Sequence, residues 1–599
     1  MNPFEAAPTR LVWGLGFSPR AAGVLERLRQ AGLVQAVASS GSSPSAADTL
    51  SQQWHSSGGF VVVAAAGLVT RLIAPLLQGK ECDPAVVVVD PEGRFAVPLL
   101  GGHSGGAEDL SQRVAALLGG TAVLTGSSSG TGRLALDVFG TAWGWRRGSG
   151  DWTDLMQQAA AGETIQLNQD SGNPQWRELP AAKALTLSPH GPPEQADLVV
   201  SSRLGPGCRW HPPALWLGVG CERGTSLGLL ERLIDQALET GGLAPEAVAG
   251  LASASRKADE PALLELSQQR GWALQFFEPG QLAAVAVPTP SAAVAAEMGT
   301  PSVAEAAALL AGGEGARLLQ PKRIEQRREG EQGAATLAIA EARGQWAPAQ
   351  GHLHLVGSGP GRLDLLTPEA REALASSTVW VGYGLYLDLL EPLRRPDQLR
   401  LDGRLTEERA RCQQALELAS QGLPVALVSS GDSGIYAMAG LALELWLQQP
   451  VDARPAFSVH PGISALQLAA ARAGAPLMHD FCTISLSDRL TPWAVIERRL
   501  EAAAAGDFVV ALYNPRSLGR DWQLGRARDL LLSGRPASTP VAICRQLGRT
   551  EEQVSLHTLG ELPIEQVDML TLVLVGNASS YVRDGRMVTP RGYPGAELA

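Results

Sequence analysis

The chain is 599 residues long, 45% apolar and 18% charged, with a formal net charge of −11. That length exceeds what one hydrophobic core serves and predicts about three to five domains. The acidic balance, with no basic block, argues against a nucleic-acid partner. Apolar runs far shorter than the ~20 residues of a spanning helix argue against a membrane. Six cysteines, Cys82, Cys208, Cys221, Cys412, Cys482 and Cys544, contain no C-x-x-C pair. That usage suits reduced thiols in a cytoplasmic enzyme without a zinc site. The first ten residues lack the charged-then-apolar pattern of a targeting signal.

The recurrent pattern is a short β run, a glycine turn and an Ala/Leu-rich helix, which predicts multidomain α/β architecture built on parallel sheets. Residues 60–66 and 85–90 are the first such runs. The loop Gly101-Gly102-His103-Ser104-Gly105-Gly106 sets glycines around one histidine and opens a helix, where backbone N–H groups suit an anion or carbonyl. His103 titrates in the range useful for acid/base work; the alternative is a histidine bonded within a tight turn. The polar stretch 148–209 reads as a turn-rich insert. The run 215–219 leads on to Lys257 and Glu260, either a functional pair or an exposed ion pair at a helix start. A charged run followed by Ala, Gly, Gln and Pro near 327–351 predicts a linker. The expected units are therefore 1–147, 148–212 and 213–325, a linker at 326–350, and a final domain at 351–599.

In the last unit a strand at 353–356 runs into Gly357-Ser358-Gly359-Pro360-Gly361. These glycines permit positive φ and close approach of backbone to a ligand. Arg362 at the third glycine position excludes the dinucleotide fingerprint. The strand at 425–428 opens onto Ser429-Ser430-Gly431-Asp432-Ser433-Gly434-Ile435-Tyr436. Asp432 there either binds a hydroxyl or cationic ligand or, like Ser433, caps a helix beginning near Tyr436. His352 and His354 read as strand residues rather than metal ligands.

Further motifs follow in order: TPEAREAL at Thr367, VGYGLYLDLL at Val381, HPGISA at His460, GAPLMHDFCTISLSD at Gly474, ALYNPRS at Ala511 and VTPRGY at Val588. With the two glycine loops they resemble the tetrapyrrole methylase family over residues 351–594, most narrowly its precorrin-3B/cobalt-factor III C(17)-methyltransferase members. The resemblance implies a two-lobed class III methyltransferase fold with S-adenosylmethionine (SAM) in the cleft, and C-17 methylation with ring contraction of a tetrapyrrole. Cobalt enters only as part of that substrate. The resemblance carries SAM contacts to Pro360, Gly431, Asp432, Ile435, Tyr436, Ser464, Ala465, Tyr513 and Asn514. It directs the search for an acid or base to the run holding His479, Asp480, Ser485, Ser487 and Asp488, with Asp480, Ser487 and Asp488 foremost. Arg516 and Arg591, inside family-like loops, suit substrate carboxylates through their planar forks. A homodimer through this domain is also implied. Ser433 stands where the family usually has proline.

Residues 11–322 resemble the lactone hydrolase of the cobalamin pathway, cobalt-precorrin-5A hydrolase. That implies opening of a δ-lactone with loss of acetaldehyde, which needs an activated water and oxyanion donors. His103 with the backbone of Gly105 and Gly106, and Lys257 with Glu260, are the candidates. Glu108, Ser129, Ser255 and Ala304 depart from the family's usual residues. The reading is a bifunctional enzyme. One alternative makes the first half a non-catalytic module that holds corrinoid. Another keeps the methylase fold but moves it to RNA or protein, against which stand the acidic balance and the motifs.

Overall fold

The structure is a computed structural model and describes residues 11–79, 82–102, 106–124, 134–187, 196–344, 351–404, 407–451, 454–517 and 519–594. The first sheet holds β1 (Val12–Gly16), β2 (Ala36–Ser39), β3 (Gly59–Val63), β4 (Ala85–Val89), β5 (Phe95–Leu100) and β6 (Thr121–Ala122), in the order β2-β1-β3-β4-β5-β6. Every residue of β3 and β4 is buried, because helices cover both faces and a strand buried twice must be apolar throughout. Helices α1 (Ala21–Gln30) and α4 (Ala107–Leu118) close one face, and α2 (Ala46–Gln53) and α3 (Ala66–Ile73) the other.

The expected turn-rich insert is a sheet of its own. It holds β7 (Arg146–Arg147), β8 (Ile165–Gln169), β9 (Leu185–Leu187), β10 (Leu198–Val200) and β11 (Cys208–His211), in the order β7-β11-β10-β8-β9. These strands are short, and their core is aromatic rather than aliphatic, so no long apolar run marks them. The Phe139 ring lies 4.7–5.8 Å from Trp145, Trp176 and Trp210. Trp210 is buried, and its Nε1 donates to the Leu136 carbonyl at 2.9 Å. Trp210→Ala is expected to destabilise this unit by about 3–5 kcal/mol, read as a lowered calorimetric unfolding midpoint.

The third sheet holds β12 (Leu215–Cys221), β13 (Val248–Ala254), β14 (Ala273–Phe277), β15 (Arg317–Gln326) and β16 (Ala334–Glu341), in the order β14-β13-β12-β16-β15. The linker expected at 326–350 is thereby corrected. Its residues 334–341 run antiparallel to β12, from Leu215 opposite Glu341 to Cys221 opposite Ala335. The strand reads AATLAIAE, and alanine carries little strand preference of its own; burial between β12 and β15 decides. The charged run before it is a hairpin loop, pinned by Arg232 to Glu331 at 2.5 Å and to Glu325. Helices α5 (Pro261–Arg270) and α6 (Ala304–Gly312) flank this sheet.

The last unit has two lobes. The first is a wholly parallel sheet of β17 (His352–Gly357), β18 (Val379–Tyr383), β19 (Leu399–Gly403), β20 (Pro424–Ser429) and β21 (Ala456–His460), in the order β19-β18-β20-β17-β21. Helices α7 (Pro368–Ser376), α8 (Ala439–Leu447) and α9 (Ala465–Ala473) follow its loops. After a short β22 (Gly474–Ala475), the second lobe holds β23 (Phe481–Ser485), β24 (Val509–Tyr513), β25 (Pro540–Arg545), β26 (Gln553–Thr558) and β27 (Thr571–Val575), in the order β23-β24-β27-β25-β26. Only β23 and β24 pair in parallel there, so the expectation of parallel sheets holds for the first lobe and not the second. β28 (Tyr581–Arg583) and β29 (Arg586–Val588) join β22.

The halves are packed together. One continuous core joins Trp176 and Trp210 of the insert to Leu353, Leu355 and Leu427 of the first lobe. Thr378 Oγ1 donates to the Ala142 carbonyl at 2.8 Å, and Arg113 on α4 pairs with Glu372 on α7 at 2.9 Å. Among the described residues no helix is long and apolar enough to cross a membrane.

Candidate functional site

Three glycine loops from the carboxyl ends of β17, β20 and β21 meet in a cradle, the position where parallel α/β sheets bind ligands. Gly359 and Gly431 exchange backbone hydrogen bonds at 3.0 and 2.7 Å. A Cβ on Gly462 would fall 2.1 Å from the Gly431 carbonyl oxygen and 2.6 Å from that of Gly357. No side chain fits among these strands of backbone. Asp432 does not cap a helix. One of its carboxylate oxygens accepts from the Gly434 N–H at 2.8 Å and the other from the Gly462 N–H at 3.1 Å, tying two loops together. The helix after it starts only at Ala439, because Tyr436 takes a left-handed φ of 52°. Ser464 caps α9 in a capping box with Gln467, and Ala465 opens that helix. Pro360 is buried against Gly548 of the second lobe.

Tyrosines span the cleft between lobes. Tyr436 donates to the Thr483 carbonyl at 2.9 Å, and its ring lies 5.1 Å from that of Tyr513. The Tyr513 hydroxyl accepts from the Leu466 N–H at 3.1 Å, and burial pushes its phenol up. Ile435 and Tyr436 are exposed in the cleft loop. Asn514, at φ 50°, donates to Ser485 Oγ at 3.1 Å, and the same oxygen receives the Ser487 N–H at 3.3 Å.

The nominated acid/base run divides. Asp488 accepts from Gln523 at 3.1 Å, close to Arg520, whose guanidinium donates to the Leu486 and Asn514 carbonyls. Asp480 is exposed at the opposite end of β23, where its carbonyl receives Val509. One strand thus separates Asp480 from the Ser485–Asp488 group. The two arginines are partly engaged as well. Arg516 pairs with Glu565 at 2.6 Å and donates to the Ile564 carbonyl, while the exposed Arg591 donates to the Met478 carbonyl at 3.1 Å.

In the first half, His103 and Gly105 of the glycine loop, and Ser129, lie outside the described residues. Gly106 caps α4 at φ 77°, and Glu108 faces Gly102. Lys257 and Glu260 are not the exposed ion pair of the simpler reading: they are 9% and 1% exposed. Both sit beyond β13, beside the end of β12. Glu260 caps α5 by position, and its Oε1 accepts the Gly224 N–H at 2.9 Å, while its Oε2 is buried without a hydrogen bond. Burial pushes the nearby Cys221 thiol up to about 11, with Lys257 pulling it down and Glu260 adding to the rise. Glu305, by contrast, is saturated by Thr289 N–H and Oγ1 and by the Lys322 N–H. Ala304 lies under β12, its carbonyl against Gly218, so that departure from the family touches packing.

Residues 352–563 match the family of Tetrapyrrole (Corrin/Porphyrin) Methylases. Residues 48–129 match the Cobalamin synthesis G N-terminal family, and 215–340 the Cobalamin synthesis G C-terminus. A "Probable cobalt-factor III C(17)-methyltransferase" of Salmonella typhimurium is 50% identical over 241 residues, 40% of this chain and 99% of that protein. The chain belongs to the tetrapyrrole methylases. A precorrin-3B C(17)-methyltransferase of Sinorhizobium is 46% identical over 252 residues, 41% of this chain and 98% of that one. The crystal structure of the methyltransferase CobJ is 40% identical, covering 40% of this chain and 100% of that chain, at a TM-score of 0.39. The protein is thus a methyltransferase of cobalamin biosynthesis joined to both parts of a cobalamin synthesis G module.

Sequence reasoning missed several residues of this methylase. Thr483 holds Tyr436. His460 of the third loop is bonded on both ring nitrogens, to His354 at 3.0 Å and Glu369 at 2.9 Å. His354 does lie in a strand, but burial pushes it down to about 3, so it works there as a neutral hydrogen-bonding group. Nothing in the local pattern of β17 or β21 signals a pairing 106 residues apart in sequence.

Proposed function

We propose that the C-terminal half transfers a methyl group from SAM to C-17 of cobalt-factor III or its cobalt-free counterpart precorrin-3B, with ring contraction. The G module, in this reading, opens the δ-lactone of cobalt-precorrin-5A with release of acetaldehyde. The observation that carries the first part is the cradle of Gly357, Gly431 and Gly462. Bare backbone, with Pro360, Asp432, Ile435, Tyr436, Ser464, Ala465, Tyr513 and Asn514 around it, suits an adenosine and a methionine moiety. A second sign of fit is Ser433, buried in that loop with an Oγ that makes no hydrogen bond.

SAM, when bound, supplies a methyl on a sulfonium that carries its own leaving group. What the chain adds is mainly position, since holding reacting atoms in line can supply much of a rate enhancement. Tyr436 and Tyr513 bridge the lobes over the cradle, and Ser487 and Asp488, at the second-lobe rim, are the better-placed candidates to manage protons. Asp480, across the strand, is the weaker one. Arg591, more open than Arg516, suits a substrate carboxylate. The exposed Leu443, Leu447, Val459 and Phe481 on α8 and the edge strands β21 and β23 support a homodimer through this half. A cytoplasmic site and a cobalt-loaded substrate complete the reading. For the G module, the buried oxygen of Glu260 beside Lys257 favours hydrolysis over passive holding of corrinoid.

The test is mass spectrometry of tetrapyrrole after incubation with SAM and cobalt-factor III, with precorrin-3B in parallel. One added methyl on the cobalt substrate is the expected result. Methylation of precorrin-3B alone would remove the cobalt assignment, and none on either would remove the substrate assignment.

A further inference from the structure

Helix α7 has two neighbours that belong to different halves of the chain. At its N-terminus it grips the cofactor loop. The cap residue Thr367 donates through Oγ1 to the Pro461 carbonyl at 3.0 Å, and Glu369 accepts from His460 Nδ1–H at 2.9 Å. With that proton committed, His460 Nε2 accepts from His354 Nδ1–H at 3.0 Å. His352 stacks on His354 at 3.7 Å and bonds Ser458 at 2.8 Å. The loop so held continues directly into Gly462, whose N–H meets Asp432. One turn further along α7, Glu372 faces the N-terminal domain and pairs with Arg113 of α4 at 2.9 Å. Asp109 on α4 lies 3.6 Å from Arg395, which is also bonded to Asp397 and to the Ala375 carbonyl at the end of α7.

We propose that α4 of the N-terminal half is a built-in support for the methyltransferase cofactor loop, with Arg113 a positioning residue that acts through Glu372 and α7 on the turn at Pro461 and Gly462. This rests on the reading of that turn as cofactor-binding. Glu372 is the sensitive member, because its carboxylate is mostly buried and Arg113 is the cation bonded to it. Burial outweighs Arg113 and pushes Glu372 up to about 7. A carboxyl raised in this way adds stability below the ordinary carboxylate range and loses it as pH climbs through about 7. Above that pH the joint holds a buried anion and depends on Arg113. Asp109, which adds to the rise, and Arg395, which opposes it, also face Glu372; Glu369, His460, His354 and His352 lie on the loop side.

SAM affinity of the whole chain, measured by titration calorimetry from about pH 6 to about pH 8.5, tests the proposal. Arg113→Met is expected to weaken SAM binding by about five- to ten-fold at the upper pH and far less at the lower. Arg113→Lys should recover part of the loss, and Arg113→Met with Glu372→Gln should recover it across the range. Glu372→Gln alone, which keeps the shape of the side chain, should flatten the pH dependence even if Arg113→Met folds poorly. A lowered unfolding midpoint with SAM affinity unchanged at every pH would overturn the proposal and leave Arg113 a structural residue. Failure of the unaltered chain to bind SAM would overturn the reading of the cradle as well.

Discussion

Gly462→Ala is expected to lower methyl transfer by about a hundred-fold while the chain stays folded. The added carbon would lie 2.1 Å from the Gly431 carbonyl oxygen and 2.6 Å from that of Gly357. Both obstacles are backbone, so no side chain can swing away. Gly462 is not among the glycines of positive φ, so the penalty is one of space and not of backbone conformation. Overpacking of this kind costs about 1–3 kcal/mol, which a unit with an extensive buried core can absorb. The cradle cannot absorb it without moving, because its three loops are tied by the Gly359–Gly431 bridge and by Asp432. A displacement near 1 Å at a site that works by alignment reduces rate by roughly a hundred-fold. Calorimetric SAM titration and methyl transfer would both fall, while far-UV circular dichroism would keep its native shape. Retained affinity would mean that the three loops do not form the cofactor site.

The glycine loops after β17 and β20 could be read in the sequence because each follows a strand buried almost throughout, whereas the loop at Gly462 follows β21, an edge strand with no fully buried residue. Runs such as AVVVV in β4 and PVALVS in β20 announce themselves by continuous apolar character, and a glycine after such a run marks where the chain turns. Where burial is supplied by small or aromatic residues, the same reasoning fails. β16 looks like linker because its alanines say nothing about their surroundings, and the insert hides its core in tryptophans scattered over loops and short strands. Side-chain partners were the least visible. Asp432 is legible as a residue of a glycine loop after a strand, but whether it caps a helix depends on the conformation of Tyr436, four residues on. Arg516 sits in a family-like loop yet meets Glu565, whose proximity only the folded second lobe creates.

In the G module, Glu260→Gln is expected to lower lactone opening by at least about a hundred-fold, the range lost with a general base, and to leave methyl transfer intact. The substitution keeps the acceptor that holds the Gly224 N–H and replaces the oxygen that has no partner. A buried oxygen without a hydrogen bond costs about 1–3 kcal/mol, and the amide nitrogen that replaces it inherits the same lack of a partner. The same variant should therefore leave the unfolding midpoint of the module close to that of the unaltered chain. Lost turnover with stability retained is the pattern of a group kept for chemistry. Acetaldehyde release from cobalt-precorrin-5A measures the first effect and differential scanning calorimetry the second. Lys257→Met should also lose turnover, since it removes the cation that can face a developing oxyanion. If Glu260→Gln opens lactone at the native rate, Glu260 is not the base, and the glycine loop around His103 becomes the place where water is activated.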